Sequence, residues 1–169
     1  AYDESGFSSL NNDVMNLLND RGIKVTNSGE NSFQLRMTNA TTIQNLELSR
    51  GTWEIVLNGS NVLKGKGKGF SGCGLRINDY VSATIKAETA SASLTVKNSP
   101  TKRTSDDASS AIVVAGSLTI ESGTIEAAAY AEQNSDPVSG AIVVQSNGTL
   151  NISGGSVTAA GTHKNGVYV

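Results

Sequence analysis

Cysteine is nearly missing from this chain of 169 residues, where Cys73 stands alone. That excludes an internal disulfide framework and leaves either a reducing compartment or a secreted protein that manages without bridges, with Cys73 read as a plain buried thiol. Proline is limited to Pro100 and Pro137, and aromatics make up 5% of the residues, so a core must be assembled from Val, Ile, Leu and Ala. No apolar run approaches the roughly 20 residues of a membrane-spanning helix, which argues against membrane insertion by that route. The opening AYDESGF lacks a signal-peptide pattern and reads as the start of a mature segment. Concentrated positive charge is missing too. Thirteen basic and fifteen acidic residues give a net charge of −2, and no single strand or helix gathers the Lys and Arg, which argues against nucleic acid as a partner. The one histidine, His163, has no nucleophile in a recognisable motif and no second histidine to help it, so neither a zinc centre nor a catalytic triad has support.

What the chain does have is self-similarity. SAIVVAGSLTIESGTIEAAA (Ser110 to Ala129) is followed by GAIVVQSNGTLNISGGSVTAAG (Gly140 to Gly161), and the two align almost position for position. Ile112, Val114, Leu118, Ile120, Ile125 and Ala127 correspond to Ile142, Val144, Leu150, Ile152, Val157 and Ala159, after a two-residue insertion at the Gln145 to Gly148 corner. A third copy starts at NGVYV (Asn165 to Val169). Towards the N-terminus the same apolar, polar, apolar triplets recur more loosely in SLTVKN, ATIKA, GLRI, WEIVL and FQLRM.

Each triplet has period two, the mark of a half-buried strand, and each is followed by Gly, Asn or Ser at a corner. Short strands of this kind cannot bury an apolar face alone. Stacked unit on unit, they line an interior with Ile, Val and Leu while each backbone bonds to its neighbours. The expected architecture is therefore one all-β domain over 1–169, a right-handed parallel β-helix with about three strands per coil and rungs over 23–169. A β-sandwich remains the alternative, weakened by the lack of two-residue Asn-Gly hairpin spacing. Ser9 to Arg21 departs from the β pattern. Leu10, Val14, Leu17 and Leu18 share one helical face, Ser8 or Ser9 serves as N-cap, and Gly22 follows the C-cap, which predicts an N-terminal capping helix over 9–21. Trp53 alternates with Ile55 and Leu57 and is expected inside. Val169 falls in mid-rung, so the solenoid is expected either to continue beyond it or to be covered there by another chain, with self-association at that end as one partner reading.

The motifs SLTIESGTIEA and TLNISGGSVTAAG resemble the rungs of secreted bacterial β-helix proteins, in particular a calcium-dependent carbohydrate-binding family and related adhesin-like surface proteins. EIVLNGSNVL (Glu54 to Leu63) is similar to the segment that precedes the rungs in that family. The resemblance implies a cell-surface or extracellular location, a polysaccharide or host-surface glycan as partner, and calcium. The sequence departs from the family at calcium, because the paired acidic clusters that hold the ion are sparse and no EF-hand or nonapeptide repeat is present. No metal or cofactor is expected from the residues themselves.

The chain lengthens before the same recurring strand four times: KGKGFSG before Gly74, SPTKRTSDDASS before Ala111, AYAEQNSDPVS before Ala141 and GTHKN before Gly166. Insertions at equivalent positions of a solenoid stack on one edge. That edge would gather Lys66, Lys68, Phe70, Lys102, Arg103, Asp106, Asp107, Tyr130, Glu132, Asn134, Asp136, His163 and Lys164, offering charge-assisted bonds to sugar carboxylates and hydroxyls, with Tyr130 as a stacking surface. The plainer reading is of ordinary solvated loops. Gly-Lys alternation from Lys64 to Gly69 lacks the order of a phosphate-binding loop and reads as a basic turn. Asp106 with Asp107, or Asp136 with Glu132, would be the acids of a glycoside hydrolase, but no cleft is implied and the outward strand positions are mostly neutral. Those outward positions are expected to form columns of Arg76, Val113, Val143 and Tyr168, of Thr95, Thr119 and Asn151, and of Lys86, Glu126 and Thr158, too irregular for an ice-binding face. The expected function is a non-enzymatic module, secreted or on the cell surface, that binds carbohydrate or mediates adhesion through the loop edge. A structural stalk is the runner-up, and a polysaccharide lyase or hydrolase comes third.

Overall fold

The computed structural model describes residues 21–42, 45–66, 72–98, 110–130, 140–162 and 165–169. Over these it is an all-β, solenoid-like stack. A first strand, β1 (Ile23–Gly29), is followed by five units of three strands each. They are β2 (Ser32–Thr38), β3 (Thr41–Thr42) and β4 (Leu46–Leu48), then β5 (Thr52–Asn58), β6 (Ser60–Lys64) and β7 (Leu75–Ile77). Next come β8 (Ser82–Ala87), β9 (Ser93–Lys97) and β10 (Ile112–Val114), then β11 (Ser117–Ile120), β12 (Thr124–Tyr130) and β13 (Gly140–Val144). The last unit is β14 (Thr149–Ile152), β15 (Ser156–Thr162) and β16 (Asn165–Tyr168). From β2 to β13, each strand pairs with the one three places on in the chain. The result is three sheets: β1-β2-β5-β8-β11-β14, β3-β6-β9-β12-β15 and β4-β7-β10-β13-β16, in which all pairs but β1 with β2 are parallel.

The register follows the repeat read from the sequence. Ile112 lies beside Ile142 and Val114 beside Val144, Leu118 beside Leu150 and Ile120 beside Ile152, and Ile125 beside Val157 with Ala127 beside Ala159. Because alternate side chains of a strand point to opposite faces, this register stacks like on like inside. One interior column of the third sheet runs Leu46, Leu75, Ile112, Ile142 and Val167. Leu35, Ile55, Ile85 and Ile120 form the equivalent column of the first sheet; all four are buried. Trp53 is 2% exposed and stacks on Phe33, with ring centroids 4.7 Å apart, so it is core as expected. Cys73 is fully buried, and desolvation pushes its thiol up to about 11, which makes it an inert filler.

Two expectations need correction. The first strand is not a rung: β1 runs antiparallel to β2, with Val25 opposite Leu35. Period-two alternation identifies a strand without giving the direction of its partner, so a hairpin looks like a rung in the sequence. The outward columns were also misassigned. Thr119 and Asn151 do stack, but their neighbours are Thr84 and Glu54, while Thr95 belongs to the second sheet beside Glu126 and Val62. Lys86 lies in the first sheet beside Val56, and Glu126 and Thr158 stack in the second. The column of Arg76, Val113, Val143 and Tyr168 stands, with Glu47 added, yet Val113 is only 5% exposed.

No helix occurs among the described residues, and none there is long and apolar enough to cross a membrane. The expected capping helix lies outside them apart from Arg21. The tight ESG and SGG corners between the first and second sheets place Gly123 at φ +98 and Gly155 at φ +78, left-handed values that a side chain disfavours.

On the outer face of the first sheet, Glu54 accepts hydrogen bonds from Lys86 Nζ at 2.9 Å and Gln34 Nε2 at 2.8 Å. Lys86 also approaches Glu121 at 3.7 Å, and Arg36 pairs with Glu88. The Lys86 ammonium first, then the Gln34 amide, hold the Glu54 carboxyl below its usual value. A depressed carboxyl contributes stability above its unfolded pKa and loses it as the pH falls through the folded one. Glu54→Gln should therefore lower the denaturation midpoint slightly at pH 7 and progressively less in acid, as the folded-state carboxyl becomes protonated. The difference stays small because these side chains are more than a third exposed and water screens the pair. An equal loss at pH 7 and in acid would show that the carboxylate charge plays no part.

Candidate functional site

The four lengthened segments leave the second sheet and return to the third at one corner of the stack. Their departure points lie in consecutive units. Gly65 N–H donates to the Lys97 carbonyl at 2.9 Å, and Tyr130 is in register with Thr162. Between them, the buried Asn98 side chain clamps two units together: Oδ1 accepts from Tyr130 N–H at 2.9 Å, and Nδ2 donates to the Tyr130 carbonyl at 2.8 Å. On the return side, Leu75, Ile112, Ile142 and Val167 stack. The points where these segments leave and rejoin the stack therefore share a common flank.

Of the residues expected on this edge, Lys66 and Tyr130 are described, and both are exposed, Tyr130 to 50%. Lys68, Phe70, Lys102, Arg103, Asp106, Asp107, Glu132, Asn134, Asp136, His163 and Lys164 lie outside the described residues. Two lysines that were not named as site residues join the edge. Lys64 and Lys97 close β6 and β9 and stand side by side in register. Both are exposed, and neither forms an ion pair within the described residues; Lys66 follows two positions after Lys64. Ala128 takes the same position beside Lys97 in β12, where a carboxylate would have neutralised it. Like charges placed directly opposite each other on adjacent strands repel, so this pair costs the fold something. Part of the signal was present in the sequence, since Lys97 follows the apolar, polar, apolar triplet Leu94 to Val96 and Lys64 follows Val62 and Leu63. Seeing it required the register of β6 on β9, which the looser N-terminal spacing hides.

A second recess lies at the opposite end of the third-sheet strands, where the chain turns back into the first sheet. It has a volume of ≈ 470 Å³ and is lined by residues around Asp79, Tyr80, Gly116 and Asn147. None of these was singled out from the sequence. The one available signal was the two-residue insertion at Gln145 to Gly148. Among the described residues, no three His, Cys, Asp or Glu side chains gather as a metal-holding group. No family model, curated protein or solved structure matches the chain.

Proposed function

We propose that the chain is a right-handed parallel β-helix module of a secreted or cell-surface bacterial protein that binds acidic carbohydrate through the edge between its second and third sheets, without catalysis. The observation that carries this reading is the in-register pair Lys64 and Lys97, which has no acidic partner among the described residues, with Lys66 two positions on, at the corner where four inserts leave the stack. Lysines rooted on neighbouring strands, whose backbones lie about 4.8 Å apart, suit a polymer with a regular series of carboxylates or sulfates. Right-handedness is supported by the rule that crossovers between parallel strands of one sheet take that hand in about 98% of cases. The surface location rests on the resemblance of the rung motifs to secreted β-helix proteins. It is checked by protease shaving of cells that express the full reading frame, where protection of this segment until lysis would count against it.

Binding is tested on immobilised polygalacturonate, alginate and heparin. Exposed charge pairs contribute about 0.2–1 kcal/mol each, so Lys64→Ala with Lys97→Ala should weaken retention about five-fold at low salt. High salt should erase the difference between the variant and the unaltered protein. Replacing Lys102, Arg103 and Tyr130 by Ala should weaken it further. Silence on all three columns would favour a structural stalk, and release of reducing ends or unsaturated sugars would favour an enzyme.

A further inference from the structure

We propose that the recess between the third and first sheets is a second, independent binding site, for a neutral saccharide laid along the stacking axis with one ring on Tyr80. The recess arises from a mismatch in corner length. Consecutive units turn this corner with four residues (Asn78 to Val81), then two (Ala115 and Gly116), then four again (Gln145 to Gly148). Each long corner is closed as a turn, by Val81 N–H donating to the Asn78 carbonyl at 3.2 Å and by Gly148 N–H donating to the Gln145 carbonyl at 2.7 Å. The short corner sinks between them and becomes the floor. Gly116 lets it sink, since a Cβ there would lie 2.4 Å from the carbonyl oxygens of both Asn78 and Val81.

Tyr80 stands on one wall at φ +65, with its side chain fully exposed. Left-handed backbone is uncommon for a bulky residue, and such outliers concentrate where a side chain is displayed for use. The ring gains nothing from the fold in that position. Below it runs a row of hydroxyls, Ser82, Ser117 and Thr149, which are register partners in three successive units. The row spans about 10 Å at strand spacing, roughly the length of a disaccharide. Asp79 lies beside Tyr80, and Asn147 on the far wall.

The chemistry of the lining selects among occupants. A peptide adding as a strand would need free backbone donors, but Ser82, Ser117 and Thr149 N–H are used within the stack, on the carbonyls of Gly51, Val81 and Gly116. A divalent cation would need more than one carboxylate. No basic side chain lines the recess, so Asp79 would repel an acidic sugar. A neutral pyranose meets each feature. Its apolar ring face suits Tyr80, and its hydroxyls can donate to the Asp79 carboxylate and exchange hydrogen bonds with Asn147 and the serine–threonine row. The site shares no residue with the lysine edge, so each can fail without the other.

The experiment is an array of neutral oligosaccharides (glucans, xylans, mannans, galactans and N-acetylated chains) probed with the whole chain, with hits titrated calorimetrically. At least one neutral class should bind. Tyr80→Ala should weaken that binding ten-fold or more and Asp79→Asn several-fold, Tyr80→Trp should retain it, and Lys64→Ala with Lys97→Ala should leave it unchanged. Thermal unfolding of Tyr80→Ala should match the unaltered chain, because the side chain is outside the core. Absence of binding across the neutral array, binding indifferent to Tyr80→Ala, or recognition of only charged glycans or proteins would each overturn the proposal.

Discussion

Asn61→Leu should lower the stability of the protein by about 3 kcal/mol, read as a shift in the midpoint of urea unfolding. Asn61 is 1% exposed and occupies an interior column otherwise filled by Leu94, Ile125 and Val157. Leucine is close to it in size and would gain apolar burial. Asparagine, however, holds the corner between the first and second sheets together. Its Oδ1 accepts from Ala40 N–H at 2.9 Å, and its Nδ2 donates to the carbonyls of Asn58, Gly59 and Ser93, each at 3.2 Å. One side chain thus ties three successive units, through Ala40, its own strand and Ser93. A leucine leaves a buried donor and several acceptors without that partner, and each stranded group costs about 1–3 kcal/mol, more than the methyl groups return. Asn61→Asp gives a second readout. It keeps the acceptor for Ala40 but sets a carboxylate against three carbonyl oxygens, so the loss should be larger at pH 7 and smaller in acid, where the carboxyl is neutral. A leucine variant as stable as the parent would show that the corner is held by its backbone alone.

The sequence made the C-terminal half legible because two copies of one unit run from Ser110 to Gly161 with nearly equal spacing, and the register of Ile112 on Ile142 could be read by eye. Legibility fell wherever the physical determinant was something other than hydrophobic spacing. The corner after β8 runs from Glu88 to Ala92, whereas the one after β11 needs only Glu121 to Gly123. That difference of two residues is why Thr95 and Lys86 were assigned to the wrong columns. Asn61 looked like any polar residue near a turn, although its three-unit clamp closes only when strands 21 and 32 residues apart come together. Tyr80 escaped notice for the opposite reason. An aromatic next to an apolar strand reads as core, and only a left-handed backbone in a four-residue turn carries it into solvent. The lysine edge was read in part: the recurrence of long segments before the same strand was visible, but the in-register pair was not.

Trp53→Ala should be the most damaging single truncation, costing about 4–5 kcal/mol, and its damage should be confined to one end of the stack. Trp53 lies between Phe33, on which it stacks, and Ala83, its register partner in the next unit. With only alanine on the side away from Phe33, the space left by the indole is poorly filled from that side, which places the cost at the upper end for core truncations. The indole N–H also donates to the Arg50 carbonyl at 2.8 Å, so Trp53→Phe, which keeps an aromatic on Phe33, should cost only about 1–2 kcal/mol. In a stacked architecture, stability is close to a sum over units and their nearest-neighbour interfaces. The lost contacts join β2 to β5 and β5 to β8, so the hairpin of β1 and β2 should detach first. Hydrogen exchange should then show amides of Ile23–Thr38 losing protection while those of Ile112–Ile120 keep theirs. Equal loss of protection in every unit would mean that the stack folds as one indivisible block, and nearest-neighbour reasoning would no longer apply to it.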